Sequence, residues 1–212
     1  MVENMSDSIH RHPNFVKEKR QRKIYEWRAE DQANKLKRSY ERAETDGLTG
    51  LLRREVFQKR LNTLIGRFNK QRKGDVGLEI VSLLVVDVDH FKSVNDTFGH
   101  PEGDKVLKQV ADILKKYVPR ESDLLGRLGG EEFVIGLQNP NGKGIEKAEE
   151  IRKGVESSIV LPNGKHVTVS IGIAETTGLR NAEKLYQRAD EALYEAKESG
   201  RNRIVVAGLI QE

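Results

Sequence analysis

The segment at residues 78–89, LEIVSLLVVDVD, is almost continuously apolar until its two acids. A run of this kind is typical of a central strand that is buried on both faces of a sheet. Two shorter apolar stretches, at about 123–128 and 132–137, lie on either side of Gly129-Gly130. Two strands joined by such a pair predict a tight hairpin turn.

Between these strands, apolar residues recur at helical spacing. Helices are predicted over 53–70, over 91–118 in two pieces split at GHPEGD, over 145–158 and over 181–199. Residues 159–175 predict a second hairpin, which turns at Asn163-Gly164 and has a long second arm. A last short strand is predicted over 203–208.

From residue 78 the predicted order is β-α-β-β-α-β, followed by a helix and a strand. This order predicts an α/β (α+β) fold in which a mixed sheet has a split βαβ, or ferredoxin-like, core with helices on one side. We expect three regions along the chain: a flexible tail over 1–14, a helix over 15–45, and one domain over 46–212.

The predicted N-terminal helix carries a weak heptad pattern of small and apolar residues. Its members are spaced alternately four and three apart: Ala29, Ala33, Leu36, Tyr40 and Ala43. One interpretation is a solvated single helix that packs on its own domain. The other is a parallel pair of helices that dimerises the protein.

Charge and composition exclude several classes of protein. The chain has 212 residues and a net charge of +4. It contains no cysteine, which excludes disulfides and thiolate metal sites. Residues 1–45 hold 11 basic and 8 acidic residues, whereas the remainder holds 26 and 25. The nearly balanced main domain argues against nucleic acid binding. No apolar run approaches the roughly 20 residues of a membrane span, and no secretory leader is recognised, so we expect a cytoplasmic protein.

The Gly-Gly turn is followed by Glu131 and Glu132, and the buried strand ends in Asp87 and Asp89. In a split βαβ fold these two places are neighbours, so the acids should converge. Converging carboxylates repel one another unless a cation lies between them, and Mg²⁺ is the hard cation that needs few carboxylates. The Val88 carbonyl is a further oxygen ligand, and two such ions suit phosphoryl chemistry. Alternatively, the two aspartates cap a helix.

Several motifs together make the chain similar to the GGDEF family of diguanylate cyclases. The resemblance covers about residues 46–207 and rests on DGLT, VDVDHFKSVNDTFGHPEGDKVL, GRLGGEEF, SIGIA and ADEALYEAKESGRNRI. It implies a polymerase-palm, nucleotidyl-cyclase-like fold. It also implies a homodimer in which two facing subunits each hold one GTP and together form cyclic di-GMP and pyrophosphate.

The resemblance also assigns roles to residues of this chain. The metal ligands would be the Asp87 carboxylate, the Val88 carbonyl and Glu131, holding two Mg²⁺ or Mn²⁺ ions in each half-site. Glu131 is also the candidate acceptor of the 3′-hydroxyl proton, and Lys92 would stabilise charge in the transition state. Lys92 is alternatively an exposed helix lysine, and Glu132 is either a second metal contact or a structural acid.

The substrate contacts implied by the resemblance are Phe91, Asn95, His100, Asp104, Gly130, Lys197 and Arg201. A carboxylate at position 104 accepts from both N1–H and N2–H₂ of guanine but faces a lone pair on adenine, so it favours GTP. Lys197 and Arg201 are four residues apart at a predicted helix end, so they should share a face and clamp the triphosphate. They are alternatively cations that stabilise the helix C-terminus.

RESD, with Arg120 and Asp123, resembles the family's RxxD product-inhibition site. The alternative is a surface ion pair. For the whole protein, the alternative to an active cyclase is a catalytically silent module that binds GTP or cyclic di-GMP.

Overall fold

A computed structural model describes residues 13–68, 80–119, 122–139, 143–176 and 181–208. The chain divides into two compact units, Met1–Glu44 and Thr45–Glu212. Across the described part of the chain, no helix combines the length and the apolar character required to cross a bilayer.

The first unit contains helix α1, Pro13–Glu44. Two exposed i,i+4 ion pairs, Arg22–Glu26 and Asp31–Lys35, lie along it. Ala29 and Ala33 of the heptad pattern are exposed, and the side chains of Leu36, Tyr40 and Ala43 lie outside the described residues. The predicted tail over 1–14 also lies outside them, apart from the two residues that begin α1.

The second unit contains a six-stranded sheet and five helices within its described residues. In chain order its elements are β1 Leu52–Arg53, α2 Arg54–Phe68, β2 Ile80–Val88, α3 Phe91–Phe98, α4 His100–Tyr117, β3 Leu124–Gly129, β4 Glu132–Asn139, α5 Gly144–Ser158, β5 Val169–Glu175, α6 Ala182–Glu198 and β6 Ile204–Val206.

The strands lie in the order β1-β3-β4-β2-β5-β6. Strand β2 is antiparallel to both β4 and β5, whereas the outer pairs β1–β3 and β5–β6 are parallel. The inner order β3-β4-β2-β5 is that of the split βαβ fold. The predicted fold class, a mixed sheet with a split βαβ core and flanking helices, is therefore confirmed.

Helices cover both faces of this sheet. Leu84, Val86 and Val88 of β2 pack with the apolar residues of α3, α4 and α5. Leu83 and Val85 point to the other face and pack with those of α2 and α6. The prediction that helices lie on one side is therefore wrong for the whole domain, because α2 and α6 lie outside the βαβ-βαβ core and bury the second face.

The predicted second hairpin is also shorter than expected. Residues 160 and 166 form a single isolated bridge around the turn at Gly164, whose φ is 80°. The regular strand begins only at Val169. The long second arm is thus β5, and its partner on the inner side is β2 rather than the segment before the turn.

Candidate active site

The end of β2 and the turn between β3 and β4 lie side by side. Asp87 is the register partner of Glu132, and the Val88 N–H donates to the Glu131 carbonyl at 3.3 Å. The turn is formed by Gly129 and Gly130, whose φ values of 143° and 51° are accessible mainly to glycine. The turn therefore places Glu131 beside the end of the buried strand.

Asp87 is the most constrained acid of this group. Its residue is 7% exposed, and Lys197 Nζ lies 2.8 Å from its Oδ2. Burial raises the pKa of Asp87 to about 6, against the opposing effect of Lys197, and the negative charges of Glu131 and Glu132 raise it further. The negative charges at this edge of the sheet are thus only partly balanced by Lys197.

This donor set fits a hard divalent cation. Asp87 and Glu131 offer carboxylate oxygens, and Val88, whose N–H donates to the Glu131 carbonyl, offers a carbonyl oxygen. Within the described part of the chain, no three acidic or histidine side chains are grouped closely enough to hold a metal alone. Two carboxylates suit Mg²⁺, which keeps its remaining positions for water and phosphate oxygens.

The raised pKa of Asp87 gives a testable pH dependence in the metal-free protein. Its ordinary value is 3.8 and its folded value about 6, so the folded state holds this proton more tightly than the unfolded state. Stability therefore falls as pH rises from about 4 to about 6. We expect Asp87→Asn to match the wild type near pH 4 and to exceed it by about 2 kcal/mol at pH 7.

Urea unfolding in the presence of a chelator measures this difference at both pH values. The comparison cancels the titration of groups remote from position 87, which is the same in both proteins. A gap between the two proteins that is independent of pH would contradict a raised pKa at Asp87.

Arg127, which the sequence did not single out, supports the Gly-Gly turn. Its Nε and Nη2 donate to the Gly130 carbonyl at 3.1 and 2.7 Å, and its Nη1 donates to Asp46 Oδ1 at 3.0 Å. Asp46 in turn accepts from the Thr49 N–H and hydroxyl. Burial opposes ionisation of Asp46, but these hydrogen bonds lower its pKa. The DGLT segment thus holds the arginine that holds the turn.

Glu132 has a partner of its own. Arg54 Nη2 lies 3.9 Å from its carboxylate, while Arg54 Nε donates to the Leu128 carbonyl at 3.0 Å. This contact ties β4 to the start of α2. It favours the structural interpretation of Glu132 over that of a metal ligand.

The turn from β2 into α3 brings in the next candidate residues. His90 precedes α3 with a left-handed φ of 56°, and no side chain caps the helix. The alternative that Asp87 or Asp89 caps this helix is therefore wrong. Phe91 is buried at the first position of α3, whereas Lys92 is exposed.

Asn95 lies against the first turn of α4. A Cβ at position 103 would come within 2.0 Å of Asn95 Oδ1, so only glycine allows this close approach. His100 and Asp104 are exposed and four residues apart on α4, so they share a face. Helices α3 and α4 thus present an amide and a carboxylate on either side of Gly99.

Lys197 lies in the last turn of α6, but Arg201 lies beyond the helix. Helix α6 ends at Glu198, and Arg201 has a left-handed φ of 61°. The prediction that both share a helix face is therefore wrong, because the helix ends before Arg201 and φ is positive from Gly200 to Asn202. Tyr194 of the same helix is 67% exposed, whereas its neighbour Leu193 is buried.

Of the predicted inhibitory site, Arg120 lies outside the described residues. The Asp123 carboxylate accepts the Gln138 N–H at 2.9 Å, which ties the start of β3 to the end of β4. Asp123 thus has a structural contact in addition to any contact with a ligand.

Comparisons with known proteins agree with this geometry. The family profile described as "Diguanylate cyclase, GGDEF domain" matches residues 43–203. The chain is 44% identical to "Diguanylate cyclase A" of Treponema denticola over 61% of its length, and 41% identical to "Response regulator PleD" of Caulobacter vibrioides over 81%. It spans only 36% and 38% of the length of these relatives.

Solved structures give the same picture. The coiled coil and GGDEF domain of DgcB from Caulobacter crescentus, in complex with c-di-GMP, superposes with a TM-score of 0.74 at 30% identity. The match covers 89% of this chain and 98% of that one. The active GGEEF domain of a diguanylate cyclase from Vibrio cholerae has a TM-score of 0.64 at 29% identity, covering 76% of this chain and 99% of that one.

Proposed function

The chain belongs to the GGDEF family, and from this premise we propose that it is an active diguanylate cyclase. It would join two GTP molecules into cyclic di-GMP with release of two pyrophosphates. The observation that carries the proposal is the meeting of Asp87 and Glu131 at the end of β2, where burial and mutual repulsion leave the acids in need of cations.

In the proposed mechanism, each of two facing subunits binds one GTP. Bound Mg²⁺ or Mn²⁺ would supply the Lewis acidity that activates the attacking 3′-hydroxyl and stabilises the leaving pyrophosphate. Asp87, the Val88 carbonyl and Glu131 would hold the metal ions, two in each half-site. Glu131 is also the candidate acceptor of the 3′-hydroxyl proton.

Other residues would orient the nucleotide. The N–H groups of Phe91 and Gly130 suit phosphate oxygens, because each lies where the chain turns past the strand end. Asn95, His100 and Asp104 would receive the guanosine, and Lys92, Lys197 and Arg201 would balance the phosphate charge. Lys197 is half-buried and paired with Asp87, so it would exchange this contact for a phosphate oxygen.

A single incubation tests the function. The protein is mixed with GTP and Mg²⁺, and the nucleotide products are identified by mass. Cyclic di-GMP is the expected product. Binding of GTP without conversion would instead indicate the alternative, a catalytically silent module that signals through GTP or cyclic di-GMP.

Asp104→Ser is expected to relax the preference for GTP over ATP by about 100-fold. The substitution removes the carboxylate that accepts from both N1–H and N2–H₂ of guanine. Loss of such a hydrogen-bonding partner greatly reduces discrimination between bases. Competition between the two nucleotides measures the ratio of kcat/KM. Asp112→Ser, at an exposed position farther along α4, is the matched control and should keep the wild-type ratio.

Arg120→Ala is expected to leave the first turnovers unchanged and to remove the later slowing as cyclic di-GMP accumulates. An arginine pairs bidentately with the Hoogsteen edge of guanine, so its loss should weaken product binding. Progress curves with pyrophosphate removed measure the effect, and Lys108→Ala provides an exposed cation as control. If the progress curves of Arg120→Ala slowed as those of the wild type do, RESD would be only a surface ion pair.

A further inference from the structure

The loop after α6 has an unusual backbone. Gly200, Arg201 and Asn202 all have positive φ, with values of 114°, 61° and 46°. Residues with a Cβ avoid this left-handed region, so two in succession persist only where surrounding contacts hold them. The contacts that hold this loop therefore determine the position from which the Arg201 side chain extends.

Asn202 is held at three points. Its backbone N–H donates to Asp89 Oδ2 at 3.0 Å. Its side-chain oxygen accepts from Arg152 Nη1 at 2.7 Å, and its amide nitrogen donates to Glu156 Oε1 at 2.7 Å. The second and third contacts anchor the loop to α5, whereas the first anchors it to the residue just after β2.

Asp89 is itself rigidly placed. It is buried, and its two oxygens also accept from the hydroxyls of Ser170 and Thr168, each at 2.7 Å. A carboxylate that accepts from three donors has little freedom to rotate. The described partners of Asp89 thus differ from that of Asp87, which pairs with Lys197, although the two acids are only two residues apart in the chain.

We propose that Asp89 is a positioning residue that fixes the left-handed loop at Asn202 and thereby directs Arg201 toward the nucleotide triphosphate. The end of β2 would then position two groups of the site: the Asp87 carboxylate, which binds metal, and, through Asp89, the Arg201 side chain, which contacts phosphate. This inference rests on the proposed role of Arg201 as a phosphate contact.

A double-mutant cycle separates positioning from a general contribution to stability. Binding of α,β-methylene GTP with Mg²⁺ is measured by calorimetry for the wild type, Asp89→Ala, Arg201→Ala and the double variant. We expect Asp89→Ala to weaken binding roughly tenfold and to have almost no further effect once Arg201 is removed.

Three further variants sharpen the test. Ser170→Ala removes one hydrogen bond from Asp89 but leaves the Asn202 contact, so it should lower stability without changing nucleotide affinity. Asp89→Asn keeps an acceptor for Asn202 and should restore most of the affinity that Asp89→Ala loses. Asn202→Gly removes the side-chain ties to α5 but keeps the backbone N–H that donates to Asp89, so its nucleotide affinity should stay near that of the wild type.

The Asn202→Gly variant also keeps the proposal testable if Asp89→Ala does not fold. Additive losses from Asp89 and Arg201 would overturn the positioning role. So would an Asn202→Gly protein that loses as much affinity as Arg201→Ala, because its backbone contact with Asp89 is intact. So would an Arg201→Ala protein that binds as tightly as the wild type. None of these results contradicts the cyclase proposal if the wild type still converts GTP. The cyclase proposal would instead fail if the wild type formed no cyclic di-GMP.

Discussion

Glu131→Gln is expected to reduce cyclic di-GMP formation by about a thousandfold while the fold remains intact. The substitution changes one carboxylate oxygen to an amide nitrogen, so the site loses a charged ligand and keeps its shape. The structural contact of this residue is made by its carbonyl, which accepts the Val88 N–H, and glutamine preserves it. Asp87→Asn should have a similar effect on activity from the strand side.

Glu132→Gln is the matched control, because it makes the same chemical change one residue away. Glu132 pairs with Arg54 at the surface of the turn, and an exposed ion pair of this kind contributes little to the stability of the fold. We expect its activity to stay within about fivefold of the wild type. Steady-state rates at saturating GTP and Mg²⁺ measure all three variants, together with their circular dichroism spectra.

Two outcomes would contradict the assignment. Near-normal turnover in Glu131→Gln or Asp87→Asn would remove the metal-ligand role from that residue. Equal losses in Glu131→Gln and Glu132→Gln would instead show that both acids of the turn serve the metal ions and that the Arg54 contact is secondary.

Deletion of residues 1–40 is expected to make specific activity fall steeply on dilution. In the proposed mechanism one subunit holds one GTP, so a lone subunit lacks the nucleotide that its own would attack. The main domain is nearly balanced in charge, which gives little electrostatic steering toward a partner. A helical tether would raise the effective concentration of the second subunit to about the millimolar range.

The full chain should therefore keep its specific activity at protein concentrations at which the truncated chain has lost it. Both proteins are assayed over a dilution series, and sedimentation gives their oligomeric state. Leu36→Glu combined with Tyr40→Glu should reproduce the deletion in the full-length chain, because like charges then face each other along the heptad pattern. Identical dilution curves for all three proteins would favour the single solvated helix.

The parts of the fold that the sequence predicts are those with a strong local pattern. The continuous apolar run predicts β2, and the Gly-Gly pair between apolar stretches predicts the hairpin of β3 and β4, because burial on both faces and positive φ each demand particular residues. Strand β1 has two residues and follows from its pairing with β3 alone. No local pattern can indicate an element that depends on a distant partner.

The candidate site shows the same division. Motif residues such as Asp87 and Glu131 are recognisable in the sequence, because their chemistry requires their type. The supporting contacts are not, since Arg127, Arg54 and Asp89 find their partners across 81, 74 and 113 residues respectively. The left-handed backbone at Arg201 also escaped prediction, because it is imposed by contacts of Asn202 rather than by the residue itself.

The central position of β2 has a consequence for the protein while it is being made. This strand leaves the ribosome before either of its neighbours, β4 and β5, and the residues that contact Asp87 and Asp89 from α6 and its following loop come later still. A nascent chain therefore carries an apolar strand with two unpaired edges for several seconds at about 5–20 residues per second. The strand order thus leaves the edges of β2 unpaired during this interval, and the contacts of Asp87 and Asp89 with Lys197 and Asn202 form only after residue 202 has been made.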